Sequence, residues 1–260
     1  MVTAIAPGKH AHSALHIQTV AWSRPFAWVA LGYADLRAHW AASLAHGALI
    51  AGLWLVLLAL AGSHPYVLAA LVSGFMLVAP VLAGGLCELS RRQTSGQALS
   101  FDGSAEGIAQ HAGAMMKFGA TLAAITVAWF LVSVTILNTV FHRPEPSLGE
   151  LLYGGFFDLS NLGQWLDYLV IGGALAVVVL AVSVVAVPLI LDQDASAGEA
   201  VRTSVRATLA NIPAMLVWSA LLVVLAAVGF ATLLLGLVFV VPVMGHATWH
   251  AYRDMVRSAA

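Results

Sequence analysis

Four stretches of this chain contain no Asp, Glu, Lys or Arg: Ala38 to Cys87, Phe118 to His142, Tyr168 to Leu191 and Ala207 to Tyr252. A hydrocarbon core about 30 Å thick requires roughly 20 apolar residues of helix, and every one of these stretches is long enough. The rest of the composition agrees. Hydrophobic residues make up 61% of the 260-residue chain and charged residues 9%, against about 25% charged in a soluble domain, so too few polar groups exist to cover a water-facing surface. One cysteine, Cys87, excludes a disulfide scaffold, and a formal net charge of −1 argues against nucleic-acid binding.

The first stretch is interrupted by Gly62, Ser63, His64 and Pro65, a turn in which proline suits the first position of a following helix. The last, from Asn211 to His250, would run about 60 Å as one helix, twice the bilayer core. It must fold back, and its turn is expected at Gly229 to Thr232. The sequence therefore predicts an all-α polytopic membrane protein with six transmembrane helices, at about 42–62, 66–87, 119–141, 168–191, 212–229 and 232–251. These form one domain over residues 23–260, after a mobile cytoplasmic tail over 1–22. That tail has no apolar run of the kind a signal peptide needs.

Basic residues orient the spans, because cytoplasmic loops retain Lys and Arg. Lys9, Arg24, Arg37, Arg91, Arg92, Lys117, Arg202, Arg206, Arg253 and Arg257 fall on one side and Arg143 alone on the other. Both termini are thus expected in the cytoplasm, with the segment from His142 to Asp167 on the opposite side. The outer loop from His142 to Asp167 carries Leu151, Leu152, Tyr153, Phe156, Phe157 and Trp165. So apolar a loop is expected to lie on the outer leaflet or against a partner.

A repeat underlies the spans. Pro80, Pro188 and Pro242 stand near the cytoplasmic ends of the three even-numbered ones, where a proline kinks a helix and neighbours cover the freed carbonyl. An amphipathic segment precedes each odd-numbered span. Its stripe is Phe26, Val29, Tyr33, Leu36 and Trp40 in the first, Ile108, Ala112 and Met115 in the second, and Val201, Val205, Leu209 and Ile212 in the third. The expected unit is an interfacial cytoplasmic helix plus a transmembrane hairpin, repeated three times. Arg91, Arg92, Lys117, Arg202, Arg206 and Arg253 form a basic inner rim suited to anionic lipid headgroups.

Chemistry has few footholds. No Asp, Glu, Lys or Arg occupies a span core, where proton- or cation-coupled carriers place them. Glu88 sits at a helix mouth beside Arg91 and Arg92, and a local ion pair accounts for it. The sequence holds no P-loop, Rossmann glycine pattern, HExxH or GxSxG, and Cys87, ending an apolar helix, reads as a packing residue. Histidines are the one constellation. His246 and His250 stand four apart on one face at the inner end of the sixth span, the spacing two imidazoles need to share a metal, and His39 and His46 share a face at the inner end of the first. Metal or haem ligation by these four, with Met76 or Met244 as a soft ligand for copper, stands against the plainer reading that histidine, like Trp40 and Trp249, suits the membrane boundary. No cofactor is expected on the plainer reading. Small-residue pairs such as Gly47 and Ala51 permit close helix packing.

Three segments carry a family resemblance: WVALGYADLRAHWAASLAHG from Trp28 to Gly47, GFMLVAPVLAGGLCELSRR from Gly74 to Arg92, and PVMGHATWHAYRDMV from Pro242 to Val256. They resemble the prokaryotic integral membrane proteins grouped as DUF2189, over nearly the whole chain after the tail. The resemblance implies a multi-spanning inner-membrane protein and no assigned activity. Some members are labelled as a cytochrome c oxidase subunit, but the clustering of histidines at helix ends is unlike the catalytic subunit of such an oxidase. The functional expectation is a non-enzymatic accessory, assembly or interaction subunit, its partners being the lipid bilayer and a membrane complex such as a terminal oxidase. The alternatives are a haem- or copper-binding membrane protein and a passive carrier or channel.

Overall fold

A computed structural model describes residues 15–61, 80–141, 162–232 and 234–258. Ten helices fill these segments: α1 (Arg24–Ala38), α2 (Trp40–Ala61), α3 (Gly84–Thr94), α4 (Phe101–Gln110), α5 (Ala112–Phe141), α6 (Leu162–Ser183), α7 (Ala186–Gln193), α8 (Ala197–Ala210), α9 (Ile212–Ala231) and α10 (Leu237–Met255). Two three-residue strands, β1 (Leu15–Ile17) and β2 (Val256–Ser258), pair antiparallel with His16 opposite Arg257. Most of the expected second span and of the outer loop lie outside the described residues.

Among the described residues, four helical stretches are long and apolar enough to cross a membrane: Trp40–Leu57, Ala112–Val132, Val170–Gln193 and Ile212–Gly229. They correspond to the expected first, third, fourth and fifth spans. The last charge-free stretch does fold back on itself, but later than expected. Gly229 stays within α9, where a Cβ would strike Leu237, and the described turn residues are Thr232, Leu234, Leu235 and Gly236. There Thr232 Oγ1 accepts the Gly236 N–H at 2.8 Å, and Leu234 adopts φ of +70°. The returning helix, α10, has 19 residues and ends in polar ones, Arg253 and Asp254.

One residue separates each of α1, α4 and α8 from the long apolar helix after it. His39 (φ −132°, ψ 44°) divides α1 from α2, His111 (−103°, 16°) divides α4 from α5, and Asn211 (−129°, 33°) divides α8 from α9. All three lie near the sparsely populated bridge between helix and strand. A break of this kind frees carbonyls one turn back. At two of them the junction side chain supplies the missing donor: His111 Nδ1 to Gly107 O at 2.8 Å, and Asn211 Nδ2 to Ala207 O at 2.9 Å. The second junction corrects the expected stripe of Ile108, Ala112 and Met115, which belongs to two helices. At the other ends, Ser100 caps α4 and Ser196 caps α8 by accepting the N–H three residues on, from Gly103 and Glu199, each worth about 1 kcal/mol.

The stripes themselves face outward more than inward. On α1 the buried residues are Pro25, Trp28, Gly32, Asp35 and Leu36, while Phe26, Tyr33 and, at the start of α2, Trp40 are exposed. On α8 the small residues Ala200, Thr203, Ser204, Ala207 and Thr208 are buried, while Leu209 and, at the start of α9, Ile212 are exposed. Lipid is as apolar as a protein core, so small and polar side chains gather inside where backbones approach closely. The spans behave alike: only 17% of the α5 window and 22% of the α9 window is buried, leaving side chains such as Val127, Leu131, Val223 and Val224 outward.

Helix α10 is the centre of the bundle. A Cβ at Gly32 of α1 would lie 2.5 Å from Val243 O and 2.7 Å from Ala247 N; Gly47 of α2 meets Val238 and Pro242, and Gly245 of α10 meets Leu86 of α3. Trp28 and Trp218 stack edge-on, centroids 5.8 Å apart. The segment before α1 is fastened as well. Asn211 Oδ1 accepts the Val20 N–H at 2.7 Å, its Nδ2 donates to Gln18 O, and Gln18 N donates to Met255 O. From Leu15 to Val20 the chain is thus bonded to the C-terminal strand, the end of α10 and the α8–α9 junction.

Gly32→Ala would press a methyl onto backbone that cannot rotate aside, and should cost about 1–3 kcal/mol. Gly52 has open space around its Cα, so Gly52→Ala should leave stability unchanged or raise it by up to about 1 kcal/mol. Thermal unfolding in detergent checks both.

Candidate functional site

The last three turns of α10 carry polar side chains toward α1, α2, α3 and α7. His246 is completely buried. Its Nε2 lies 2.9 Å from Ser43 Oγ of α2 and its Nδ1 2.8 Å from Ser90 Oγ of α3. Ser90 Oγ donates in turn to Asp35 Oδ2 of α1 at 2.7 Å, and His250 Nε2 lies 3.0 Å from the same oxygen. A hydroxyl has a single proton to give. Since that of Ser90 goes to Asp35, Ser90 accepts from His246 Nδ1–H. In neutral His246 the Nε2 atom then accepts from Ser43. Five side chains thus form one continuous chain of hydrogen bonds across four helices.

A second carboxylate on α10 binds α1 further out. Asp254 Oδ2 accepts from Arg24 Nε at 2.8 Å, Arg24 Nη2 at 2.6 Å and Trp28 Nε1 at 2.7 Å. On another side, Tyr252 donates to Asp192 of α7 at 2.7 Å, with Arg253 Nη1 3.8 Å from that carboxylate. Glu88, fully buried, is held by Arg91 through both oxygens at 2.7 Å and by Arg92 at 2.8 Å. That is the local ion pair expected. Gly107 of α4 lies against this carboxylate, with space for no Cβ.

Burial by itself would raise the Asp35 pKa, but hydrogen bonds from His250 and Ser90, with the nearby imidazoles, outweigh it and hold the carboxyl below its ordinary 3.8. Asp35 is thus the anionic end of the chain.

The four histidines expected as metal ligands do gather at this end of the bundle, each in a separate role. His246 has both nitrogens engaged by serines. His46 directs Nδ1 to Ala42 O at 2.9 Å and Nε2 to Ser104 Oγ of α4 at 3.1 Å, against Gly85. His250 is on Asp35. His39, at the first junction, borders a shallow cavity of about 170 Å³ with Trp40 and Leu99, its Nε2 buried without a partner. Among the described residues no three His, Cys, Asp or Glu side chains converge on one point. The four-residue spacing of His246 and His250 serves a shared carboxylate network. Met244 lies on the same helix; Met76 lies outside the described residues.

The basic rim divides. Arg91 and Arg92 turn inward to Glu88, and Arg253 stands beside Asp192 and over the Trp249 ring. Lys117, Arg202 and Arg206 are exposed. Cys87 is buried, its Sγ 3.5 Å from Gly245 O, a packing residue as expected. Asp35, Ser43, Ser90 and Ser104 were not singled out from sequence. The available signal was Asp35 itself, a charge seven residues after Trp28 and three after Gly32, on the face of α1 that turns inward.

Residues 67–192 match the model of DUF2189, a family described as a predicted integral membrane protein. Of the three segments carrying the resemblance, Gly74 to Arg92 falls within that match, while Trp28 to Gly47 and Pro242 to Val256 lie on either side of it. No curated protein and no solved structure matches the chain.

Removing the charge of Asp35 leaves its buried donors without their anion, so Asp35→Asn should destabilise the protein by about 3 kcal/mol near neutral pH. A lowered carboxylate pKa contributes stability that is complete above the unfolded value and fades as pH falls through the folded one. The gap between wild type and Asp35→Asn, measured by denaturant unfolding, should hold above pH 3.8 and close below it.

Proposed function

We propose that this integral membrane protein works by contact: a non-enzymatic accessory or interaction subunit whose six spans form three repeats of interface helix plus hairpin in a prokaryotic inner membrane. The observation that carries the reading is the closure of the Asp35–Ser90–His246–Ser43 chain. A general base needs a free nitrogen within reach of substrate, and His246 has both nitrogens committed while being fully buried. Satisfied buried networks of this kind rigidify a bundle and fix one arrangement of its helices.

The repeat is supported by the three junctions, whose dihedral angles agree and whose flanking helices occur in the same order. It is weakened in one respect, since the prolines are not equivalent. Pro242 lies inside α10, whereas Pro188 is in the first turn of α7, after a break at Val184 and Val185 where Ser204 Oγ accepts the stranded Val185 N–H at 3.1 Å. A cytoplasmic position for the polar end follows from ten of the eleven basic residues falling on that side. The exposed apolar faces of α1 and α8 suit the inner interface.

Two measurements test this. Membrane-impermeant thiol reagents should label Ser147→Cys in intact cells and Ala105→Cys, on the exposed side of α4, only after permeabilisation; the reverse pattern overturns the orientation. Photo-crosslinking residues placed at Tyr33 or Phe26 should yield a discrete protein adduct in native membranes, and adducts with lipid alone would count against a contact role for α1.

A further inference from the structure

Among the described residues, the cations of the polar end fall into two groups. Arg24, Arg91, Arg92 and Arg253 each stand within ion-pair distance of a carboxylate: Asp254, Glu88, Glu88 and Asp192. Arg202 and Arg206 on α8, Lys117 on α5, Arg37 on α1 and Arg257 on β2 are exposed and have none within that distance, and Arg37 lies over the Tyr33 ring. Four residues apart, Arg202 and Arg206 share a helix face. Helices α8 and α5 pack together, which brings the helix that carries Lys117 beside the one that carries the two arginines.

What surrounds them fixes their depth. Leu209 and Ile212 follow the two arginines, Met116 precedes Lys117, and all three are more than half exposed. Such side chains leave water only by entering the acyl boundary, which sets the basic residues at the level of the phosphates. Helix α4, the counterpart of α8, is the contrast within the same molecule. It exposes Asp102 and Glu106 and no large apolar side chain, so nothing draws it to an anionic surface.

We propose that the outer face of α8, with Arg202 and Arg206 at its centre and Lys117 beside it, is a docking site for the headgroup of an anionic phospholipid. The expected rim of six thereby reduces to three residues on two packed helices, and the site singles out a lipid position among those around the bundle. The inference rests on the reading of α8 as an interface helix. It does not depend on which leaflet that interface belongs to, so a reversed labelling pattern would overturn the orientation and leave the lipid site standing.

The test is stabilisation of the purified full chain by vesicles of phosphatidylcholine with and without phosphatidylglycerol, followed by thermal unfolding and by mass spectrometry of retained lipid. At roughly 1 kcal/mol per basic residue near the surface, Arg202→Gln with Arg206→Gln should weaken the apparent preference for phosphatidylglycerol by about thirty-fold. Arg37→Gln, at an exposed cation on α1 that lies over the Tyr33 ring, should keep it. An undiminished preference in the double variant overturns the proposal, as does the absence of any preference in wild type. Equal stabilisation by inorganic phosphate alone would overturn a lipid as the occupant.

Discussion

The hydrogen bonds that α10 makes through His246 and His250 hold the polar end of this protein together. Inside a bilayer the apolar surface of a helix gains little by leaving lipid for protein, so association depends on close backbone approach and on polar contacts between helices. Both are concentrated here. Gly32, Gly47 and Gly245 let α1, α2 and α3 close upon α10. His246 then binds α2 and α3, while His250 and Asp254 bind α1. Remove α10 and the three helices share few direct polar links: Ser90 to Asp35 is the one that would bridge α1 and α3.

This arrangement explains why polar residues are so few and so placed. A buried carboxylate is tolerated when donors surround it, and Asp35, Glu88, Asp192 and Asp254 each have their own set, drawn from different helices or from the next turn. Asp35 and Asp254 both fasten α1 to α10, Asp192 fastens α7 to α10, and Glu88 is neutralised within its own helix. The histidines act as donors and acceptors in a space where an unpaired amide or hydroxyl would be costly.

Much of the architecture was legible in the sequence, since charge-free length is a strong signal and periodicity marked the helices before α2, α5 and α9. What was misread is informative. The stripes on α1 and α8 were apolar, as the periodicity indicated, but in a membrane protein the apolar face can be the outer one, and the buried face is told by Gly32, Ala200 and Ser204. The junction at His39 left no proline or glycine to announce it, whereas Pro213 stands two residues past Asn211 and Gly113 two past His111. The clasp was missed because Ser43 and Ser90 are inconspicuous in apolar runs, and because their partners are distant in sequence: Ser43 lies 203 positions from His246 and Ser90 lies 156. The spacing of His246 and His250 correctly indicated a common face, and only the contacts across helices show that His250 meets Asp35 and His246 meets Ser43 and Ser90.

If the chain from His246 through Ser90 to Asp35 acts as a unit, its members must be energetically coupled although His246 and Asp35 have no hydrogen bond to each other. A double-mutant cycle with Asp35→Asn and His246→Phe, read by denaturant unfolding in detergent, tests this directly. A coupling energy between about 0.5 and 3 kcal/mol, abolished in a Ser90→Ala background, is the result that a continuous clasp predicts. Additive effects, or coupling that survives the loss of Ser90, would contradict it.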